Sequence, residues 1–243
     1  MTPHAFLVPV IAMAIATYAS AFKDGKPICD RYTLNTYMYA VTYLFMLTWF
    51  TAWVMQHPKL LEKIDLIKLI VIFVVYIAAY FAVMLIPKNQ LLLKHMASVL
   101  YIAISGVLLA SVFIYFQTKS VMTAVLMSVV LFVVLTLFVF KFPDKISSHV
   151  SWVFFMVFLV MIIAEFIVGM FYPSSMLEKG IILIVLMLIC YLVLVKTKKI
   201  LENEKSCIQD KGPDYPKESI SLVLSFQNIL LRILAVFGKR RLR

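Results

Sequence analysis

A carboxylate inside an apolar run is the first residue in this 243-residue chain that could carry chemistry. Glu165 lies between Met161-Ile162-Ile163-Ala164 and Phe166. An ionisable side chain at membrane depth is costly, so it is a candidate functional residue by default. We interpret Glu165 as a candidate for a pore or polar core. The simpler alternative is a structural acid that is protonated or hydrogen-bonded, since no second acid lies well inside another apolar run.

Four polar residues near the C-terminus form a second candidate. Ser221, Ser225, Asn228 and Arg232 follow one another at spacings of 4, 3 and 4, which at about 100° per residue places them on one helix face. Lipid cannot hydrogen-bond this stripe, so we predict that it faces protein and that Asn228 bonds hydroxyls on neighbouring helices. The alternative is an amphipathic helix lying on the cytosolic membrane surface, with its stripe toward water.

The composition predicts an integral membrane protein. Hydrophobic residues make up 63% of the chain and the mean hydropathy is +0.99, far above soluble proteins. The net charge of +11 arises between apolar runs, so it indicates topology and anionic lipid rather than nucleic acid. We find no catalytic motif and no metal spacing among the three cysteines. We therefore expect no enzyme activity, no cofactor and no metal site.

Eight apolar stretches approach the roughly 20 residues that a membrane span needs. They are Ala5–Phe22, Thr33–Met55, Leu66–Ile86, Leu92–Phe116, Ser120–Phe140, Val150–Tyr172, Gly180–Val195 and Ser219–Phe237. We predict an all-α, polytopic transmembrane bundle of seven to eight helices, with the polar-striped last helix packed inside it. The whole chain, 1–243, is expected to form one transmembrane domain, in which 1–32 form an additional N-terminal helix and loop and 33–243 the bundle.

Basic residues set the expected orientation. Alternate loops carry 13 lysines and arginines against 4 in the other set, so the first set should be cytosolic. That set includes Lys94 and the charged loop Lys198–Glu218. Cys29 and Cys207 would then lie on one side of the membrane and remain thiols in the reducing cytosol. The basic tail leaves open whether the last segment spans the membrane or re-enters it.

Two further helices carry small polar stripes. The second segment has Asn35, Tyr39 and Thr42 on one face, and the fourth has Ser98, Tyr101 and Ser105. For both stripes we favour hydrogen bonds between helices over the lining of a pore.

Several motifs occur in an order that resembles a known family. A span follows Pro87-Lys88-Asn89 and carries Ile104-Ser105-Gly106 near its middle. A later apolar run ends in Lys196-Thr197, and the last helix contains the segment Leu222 to Arg232 with Asn228 inside it. This arrangement resembles the Bax inhibitor (transmembrane Bax-inhibitor-motif) family over about two thirds of the chain.

The resemblance implies a function as well as a fold. Members of that family have a central last helix, and they are tied to calcium leak from stores and to restraint of cell death. It implies an endoplasmic reticulum or Golgi type of membrane, or a viral one. The two positions where the family places paired aspartates carry Lys196 and Ser225 here. Two carboxylates can share a proton and sense pH, whereas a lysine and a serine cannot. We therefore expect no pH switch of that kind.

The expected partners are the lipid bilayer, calcium or another cation, and a membrane protein. Two alternatives from other classes stay open. One is a structural or interaction membrane protein with no transport activity. The other is a small-molecule transporter, which should show an internal repeat with interrupted helices.

Overall fold

In the computed structural model, nearly all described residues outside short connections are helical, which confirms the predicted all-α class. The structure describes residues 4–57, 59–60, 66–147, 152–171, 176–207 and 212–239. The eight helices within these ranges are α1 (His4–Ala21), α2 (Tyr32–Gln56), α3 (Leu66–Leu85), α4 (Leu91–Phe113), α5 (Thr118–Lys141), α6 (Trp152–Phe171), α7 (Met176–Ser206) and α8 (Tyr215–Phe237).

Five of these helices, α2, α4, α5, α7 and α8, are long and apolar enough to cross a membrane. Large apolar side chains such as Leu85, Leu92 and Met187 are more than 70% exposed, as lipid-facing residues are in an integral membrane protein. Helix α8 is the most enclosed of the five, because 56% of its most apolar stretch is buried. Val223 and Ser225 point about 200° apart on this helix and both are buried. A helix lying on the membrane surface would expose one of them.

Two helices differ from the predicted segments because hydropathy follows lipid contact rather than helix formation. Helix α7 continues eleven residues beyond Val195, so the first half of the predicted loop Lys198–Glu218 is helical. Lysine and glutamate are good helix formers, and Ile200 is fully buried on this extension. Helix α8 begins at Tyr215 and carries Pro216 in its first turn, where a proline removes no helical hydrogen bond.

A small β-hairpin, absent from the prediction, follows α1. Strands β1 (Phe22–Lys23) and β2 (Lys26–Pro27) pair antiparallel. Asp24 and Gly25 form the two-residue turn with φ values of 52° and 73°. Consecutive positive φ values define the type I′ turn, for which Asp-Gly is a preferred sequence. The hairpin leads the chain toward Cys29.

The chain divides into two compact units. The first contains Met1–Tyr115 and Asn203–Val223, and the second contains Phe116–Glu202 and Leu224–Arg243. In the first unit, α2 packs against α1 and α4, and α3 packs against α4. Gly106 allows the approach of α4 to α2, because a Cβ at this position would lie 2.7 Å from Cβ of Phe50.

Candidate functional site

In the second unit, the predicted acid and the last residue of the polar stripe form an ion pair. Nη1 of Arg232, on α8, donates to Oε1 of Glu165, on α6. The two side chains are only 21% and 15% exposed, so the low-polarity surroundings strengthen their attraction. Glu165 and Arg232 each stand out in the sequence, but their spacing does not predict that they pair.

The Glu165–Arg232 pair is incompletely satisfied. Within the described residues, Oε2 of Glu165 and Nε of Arg232 are buried and have no hydrogen-bond partner. A buried polar atom without a partner forfeits about 1–3 kcal/mol. A structure selected only for stability would rarely keep two such atoms in one contact, so the pair is a candidate functional site.

The two positions at which the resembled family places its acids contact each other. Nζ of Lys196 donates to Oγ of Ser225 at 2.8 Å, joining α7 to α8 inside the second unit. The apolar run ends at Lys196 but the helix does not, because α7 continues ten residues beyond it. Thr197, the neighbouring motif position, is fully buried on α7.

The remaining stripe residues have different roles. Nδ2 of Asn228 donates to the carbonyl oxygen of Leu224 at 2.9 Å, within its own helix. The predicted hydrogen bonds from Asn228 to hydroxyls on neighbouring helices are therefore wrong. Asn228 and Ser221 are both half-buried on α8. Asn228 is thus not openly exposed, and its amide bonds the backbone of its own helix.

A second polar region lies in the first unit, where the hairpin, α7 and the start of α8 meet. The structure joins Cys29 and Cys207 by a disulfide with a Cα–Cα distance of 5.8 Å. This confirms that the two predicted loops lie at one end, and it overturns the expectation that both cysteines remain thiols. The Cα–Cα distance falls within the normal range for a disulfide.

Lys94 anchors the same region. Its Nζ donates to Oδ2 of Asp214 at 2.6 Å and to the carbonyl oxygen of Ile86 at 2.8 Å. The Lys94 side chain is 2% exposed, so the sequence analysis was wrong to count it among the loop lysines. Asp214 immediately precedes α8, and this pair holds the start of that helix against α4.

Tyr215 connects the disulfide to α2. Its hydroxyl donates to the carbonyl oxygen of Ile28 and accepts from Nδ2 of Asn35 at 3.3 Å. The Tyr215 ring stacks on Tyr39, at 5.3 Å between centroids. Nearby, Oγ of Ser219 donates to the carbonyl oxygen of Thr36 at 2.8 Å. We call the residues Cys29, Asn35, Lys94, Cys207, Asp214, Tyr215 and Ser219 the disulfide cluster.

Hydrogen bonds between helices occur at both small stripes. Thr42 lies 2.9 Å from Thr17 of α1, and Tyr39 lies 3.1 Å from Nε2 of His95 on α4. Tyr101 of α4 lies 3.0 Å from the hydroxyl of Tyr76 on α3. The prediction of interhelical hydrogen bonds is confirmed for these residues, whereas Ser98 bonds its own helix at Lys94.

Among the described residues, no three histidine, cysteine or carboxylate side chains come together as a metal-binding group. Glu165 is paired with Arg232 of the polar stripe and not with a second acid. Within the described ranges, the candidate site therefore consists of hydrogen bonds between helices and the incompletely satisfied Glu165–Arg232 ion pair.

The comparison with known proteins agrees with this architecture. A family model described as inhibitor of apoptosis-promoting Bax1 matches residues 29–241. No curated protein and no solved structure matches the chain. The match begins at Cys29 and extends beyond the end of α8, so it covers the disulfide cluster, the Lys196–Ser225 contact and the Glu165–Arg232 pair. This chain belongs to the Bax inhibitor family.

Proposed function

We propose that this protein modulates cation homeostasis, with calcium as the expected ion, and cell death from within a membrane, without an acid-pair pH switch. The observation that carries the proposal is the 2.8 Å contact between Nζ of Lys196 and Oγ of Ser225. By resemblance, these are the positions of the two family aspartates. A shared proton between carboxylates is replaced by an ammonium-to-hydroxyl hydrogen bond, which has no such proton to lose.

The charge at this contact also bears on conduction. An ammonium group repels a cation that passes nearby, and the repulsion grows where water is scarce. We therefore expect any calcium leak through this protein to be small. We also expect it to lack a strong dependence on pH between about 6 and 8, since the paired carboxylates are missing.

The Glu165–Arg232 pair is the other polar contact that a cation could meet on a path through the protein. While Arg232 holds Oε1, the Glu165 charge is neutralised. Its second oxygen, Oε2, is buried and free among the described residues, so it could accept a cation once the pair separates. Separation of the pair is the step that we propose controls the leak.

Restoring the acid pair tests the proposal. We expect calcium flux into liposomes to be pH-independent for the natural protein. The double variant Lys196→Asp with Ser225→Asp should acquire an acid-dependent leak, because two adjacent carboxylates can then share a proton. Lys199→Asp with Ser206→Asp is the matched control, since it makes the same charge changes on α7 away from the contact and outside the polar stripe.

Two outcomes would contradict this function. A sharp acid-activated or acid-blocked leak in the natural protein would show that another group senses pH, with Glu165 and a histidine as the first candidates. A restored pair that behaves like the control would show that Lys196 and Ser225 do not lie on the path.

A structural or interaction membrane protein is the second candidate function. The observation that favours it is the ion pair itself, because Arg232 neutralises the one acid that lies well inside a predicted span. Absence of flux at every pH, in both the natural protein and the restored pair, would support this alternative.

The disulfide supports a membrane of the secretory pathway. Disulfides persist in oxidising compartments and are rare in the cytosol. We propose that the start of α8, which lies next to the Cys29–Cys207 disulfide, faces the lumen of an endoplasmic reticulum or Golgi type of membrane. The basic loops at this end favour the opposite orientation. Their excess shrinks if α8 spans, since Lys239, Arg240, Arg241 and Arg243 then join the other side.

A further inference from the structure

A cavity lies in the second unit, between the start of α5 and the end of α8. Its volume is about 240 Å³. Lys119, Thr123 and Met127 of α5 line one side, and Ile233 and Phe237 of α8 line the other, with Lys239 at the rim. Neither Glu165 nor Ser225 contributes to the wall, so this cavity is separate from the polar contacts described above.

The rim of the cavity is fixed by hydrogen bonds to the backbone of Lys239. Its N–H donates to Oγ of Ser120 at 3.0 Å, and its carbonyl oxygen accepts from the N–H of Gln117 at 2.9 Å. These bonds hold the Cα of Lys239 beside the first turn of α5. Lys119 belongs to that turn, so two positive charges stand at one opening.

Gly238 permits this close arrangement. A Cβ at position 238 would lie 2.7 Å from Cδ1 of the Phe116 ring, which no ordinary contact allows. Glycine therefore lets the chain leave α8 and return to α5 within one residue.

The cavity wall is amphipathic. Lys119, Lys239 and Thr123 contribute polar side chains to the lining, while Met127, Ile233 and Phe237 supply apolar surface. Phe237 is 59% exposed, so this surface is open to whatever surrounds the helix end. A ligand that suits the wall has an anionic head and an attached apolar chain.

The ends of two candidate membrane spans meet at the cavity. Helix α5 begins at Thr118 and α8 ends at Phe237, and both are long and apolar enough to cross a bilayer. The ends of such helices lie at the level of lipid headgroups. The sequence beyond Lys239 adds three arginines, Arg240, Arg241 and Arg243. Clusters of basic residues next to a span attract anionic lipid.

We propose that this cavity binds the phosphate headgroup of an anionic phospholipid, with an acyl chain against Met127, Ile233 and Phe237. Lys119 and Lys239 pair with the phosphate oxygens, and the Ser120 hydroxyl can donate to them because it accepts from Lys239 N–H. A soluble phosphate compound offers the same charge but leaves the apolar wall uncovered, which favours the lipid.

Lipid retention by the purified full chain tests the site. Native mass spectrometry from detergent gives apparent affinities for dioctanoyl phosphatidylglycerol, dioctanoyl phosphatidylcholine and glycerol 3-phosphate. We expect the natural protein to retain phosphatidylglycerol preferentially. The double variant Lys119→Gln with Lys239→Gln should bind it about thirtyfold more weakly, since each lysine near an anionic surface is worth roughly a factor of five.

The matched control removes two lysines, one at the last residue of α5 and one just beyond it. Lys141→Gln with Lys145→Gln takes away the same charge beside Phe142 and should leave the affinity unchanged. Thr123→Trp keeps both lysines and fills the cavity, so it should also lose the lipid. Far-ultraviolet circular dichroism confirms that each variant keeps its helices.

Three results would overturn the proposal. Equal retention of phosphatidylcholine would show that charge does not select the ligand. Equal binding of glycerol 3-phosphate would identify a soluble phosphate site. Equal losses in the two lysine double variants would show attraction to net charge, with no role for the cavity.

Discussion

The disulfide cluster and the Glu165–Arg232 pair solve the same problem in different ways. Each places charged groups in low-polarity surroundings, where unmet hydrogen-bonding capacity is costly. In the disulfide cluster, Lys94 reaches a carboxylate and a carbonyl oxygen, and Tyr215 both donates and accepts. At the Glu165–Arg232 pair, one contact is made and two atoms stay unpartnered among the described residues.

This difference separates a structural region from a candidate functional one. A fully satisfied network, closed by a covalent bond, resists rearrangement because every alternative loses a partner. A pair with unmet atoms has a neighbouring state in which those atoms bind something else. We therefore expect variants of the disulfide cluster to reduce stability, and variants of Glu165 and Arg232 to change ion flux more than stability.

The largest expected effect comes from Lys94→Met. It leaves the Asp214 carboxylate without its cation and should lower the free energy of unfolding by about 3–5 kcal/mol, the usual loss when one partner of a buried pair is removed. Denaturant titration of the purified protein in detergent measures this loss. Lys88→Met is the control, because it removes a lysine whose Nζ donates to the uncharged carbonyl oxygen of Gly212 at 2.9 Å.

A double variant sharpens the result. Lys94→Met with Asp214→Asn removes both charges, while the new amide can still accept a hydrogen bond at the start of α8, so most of the stability should return. If the double variant is as unstable as Lys94→Met alone, the cost comes from lost packing of the lysine stem rather than from the unpaired charge.

The next effect comes from the disulfide. Cys29→Ser should cost about 2–4 kcal/mol, since the bond closes a chain segment of 178 residues and restricts the unfolded state. Reduction of the disulfide in the natural protein should lower its melting temperature by the same amount as the Cys29→Ser substitution. Cys190, which is free and half-buried on α7, serves as the internal control.

Maleimide labelling of denatured protein from cells checks that the bond forms. We expect one labelled cysteine before reduction, Cys190, and three afterwards. Three before reduction would show free thiols and would support the cytosolic orientation that the basic loops indicate.

The third effect is smaller and differs in kind. Glu165→Gln or Arg232→Gln should each cost only about 1–2 kcal/mol, because the pair already lacks two hydrogen bonds among the described residues. A double-mutant cycle should give a coupling free energy near about 1 kcal/mol. Calcium flux should change in both variants and stay unaltered in Lys88→Met. A loss of about 4 kcal/mol without altered flux, the size expected of a buried structural pair, would make this pair another structural contact.

The sequence predicted what depends on local pattern. Apolar runs located all eight described helices. On the last helix Ser225 is buried, whereas Ser221, Asn228 and Arg232 are half-buried, and the apolar side is the more enclosed one. The sequence pattern failed at the ends of helices, since charged residues such as Lys198 and Glu202 leave lipid without leaving the helix. Their 3.6 Å contact at i,i+4 even supports the extension.

Contacts between side chains that are far apart in the sequence cannot be predicted from the pattern of any single segment. Glu165 and Arg232 are 67 residues apart, and whether they meet depends on the rotation of two helices. The count of basic residues placed Cys29 and Cys207 on the same side of the membrane, which makes a disulfide possible. It also made that side the reducing cytosol, which argues against a disulfide. The Lys119–Lys239 cavity is built from ordinary residues around one glycine and carries no motif.

The smallest expected effects test which stripe residue fixes the rotation of α8. Ser225→Ala removes a partner of Lys196 and should cost about 1 kcal/mol. Asn228→Ala should cost at most about 0.5 kcal/mol, because its hydrogen bond goes to Leu224 of its own helix.

Asn228→Leu distinguishes a position that faces lipid from one that faces protein. At a position facing lipid, leucine would raise stability by on the order of 2 kcal/mol, since polar groups are costly there. Asn228 is half-buried on the stripe that ends at Arg232, so we expect leucine to change the free energy of unfolding by less than about 0.5 kcal/mol. A large gain in the same denaturant titration would place Asn228 toward lipid and would leave the Lys196–Ser225 contact as the main polar anchor of the stripe.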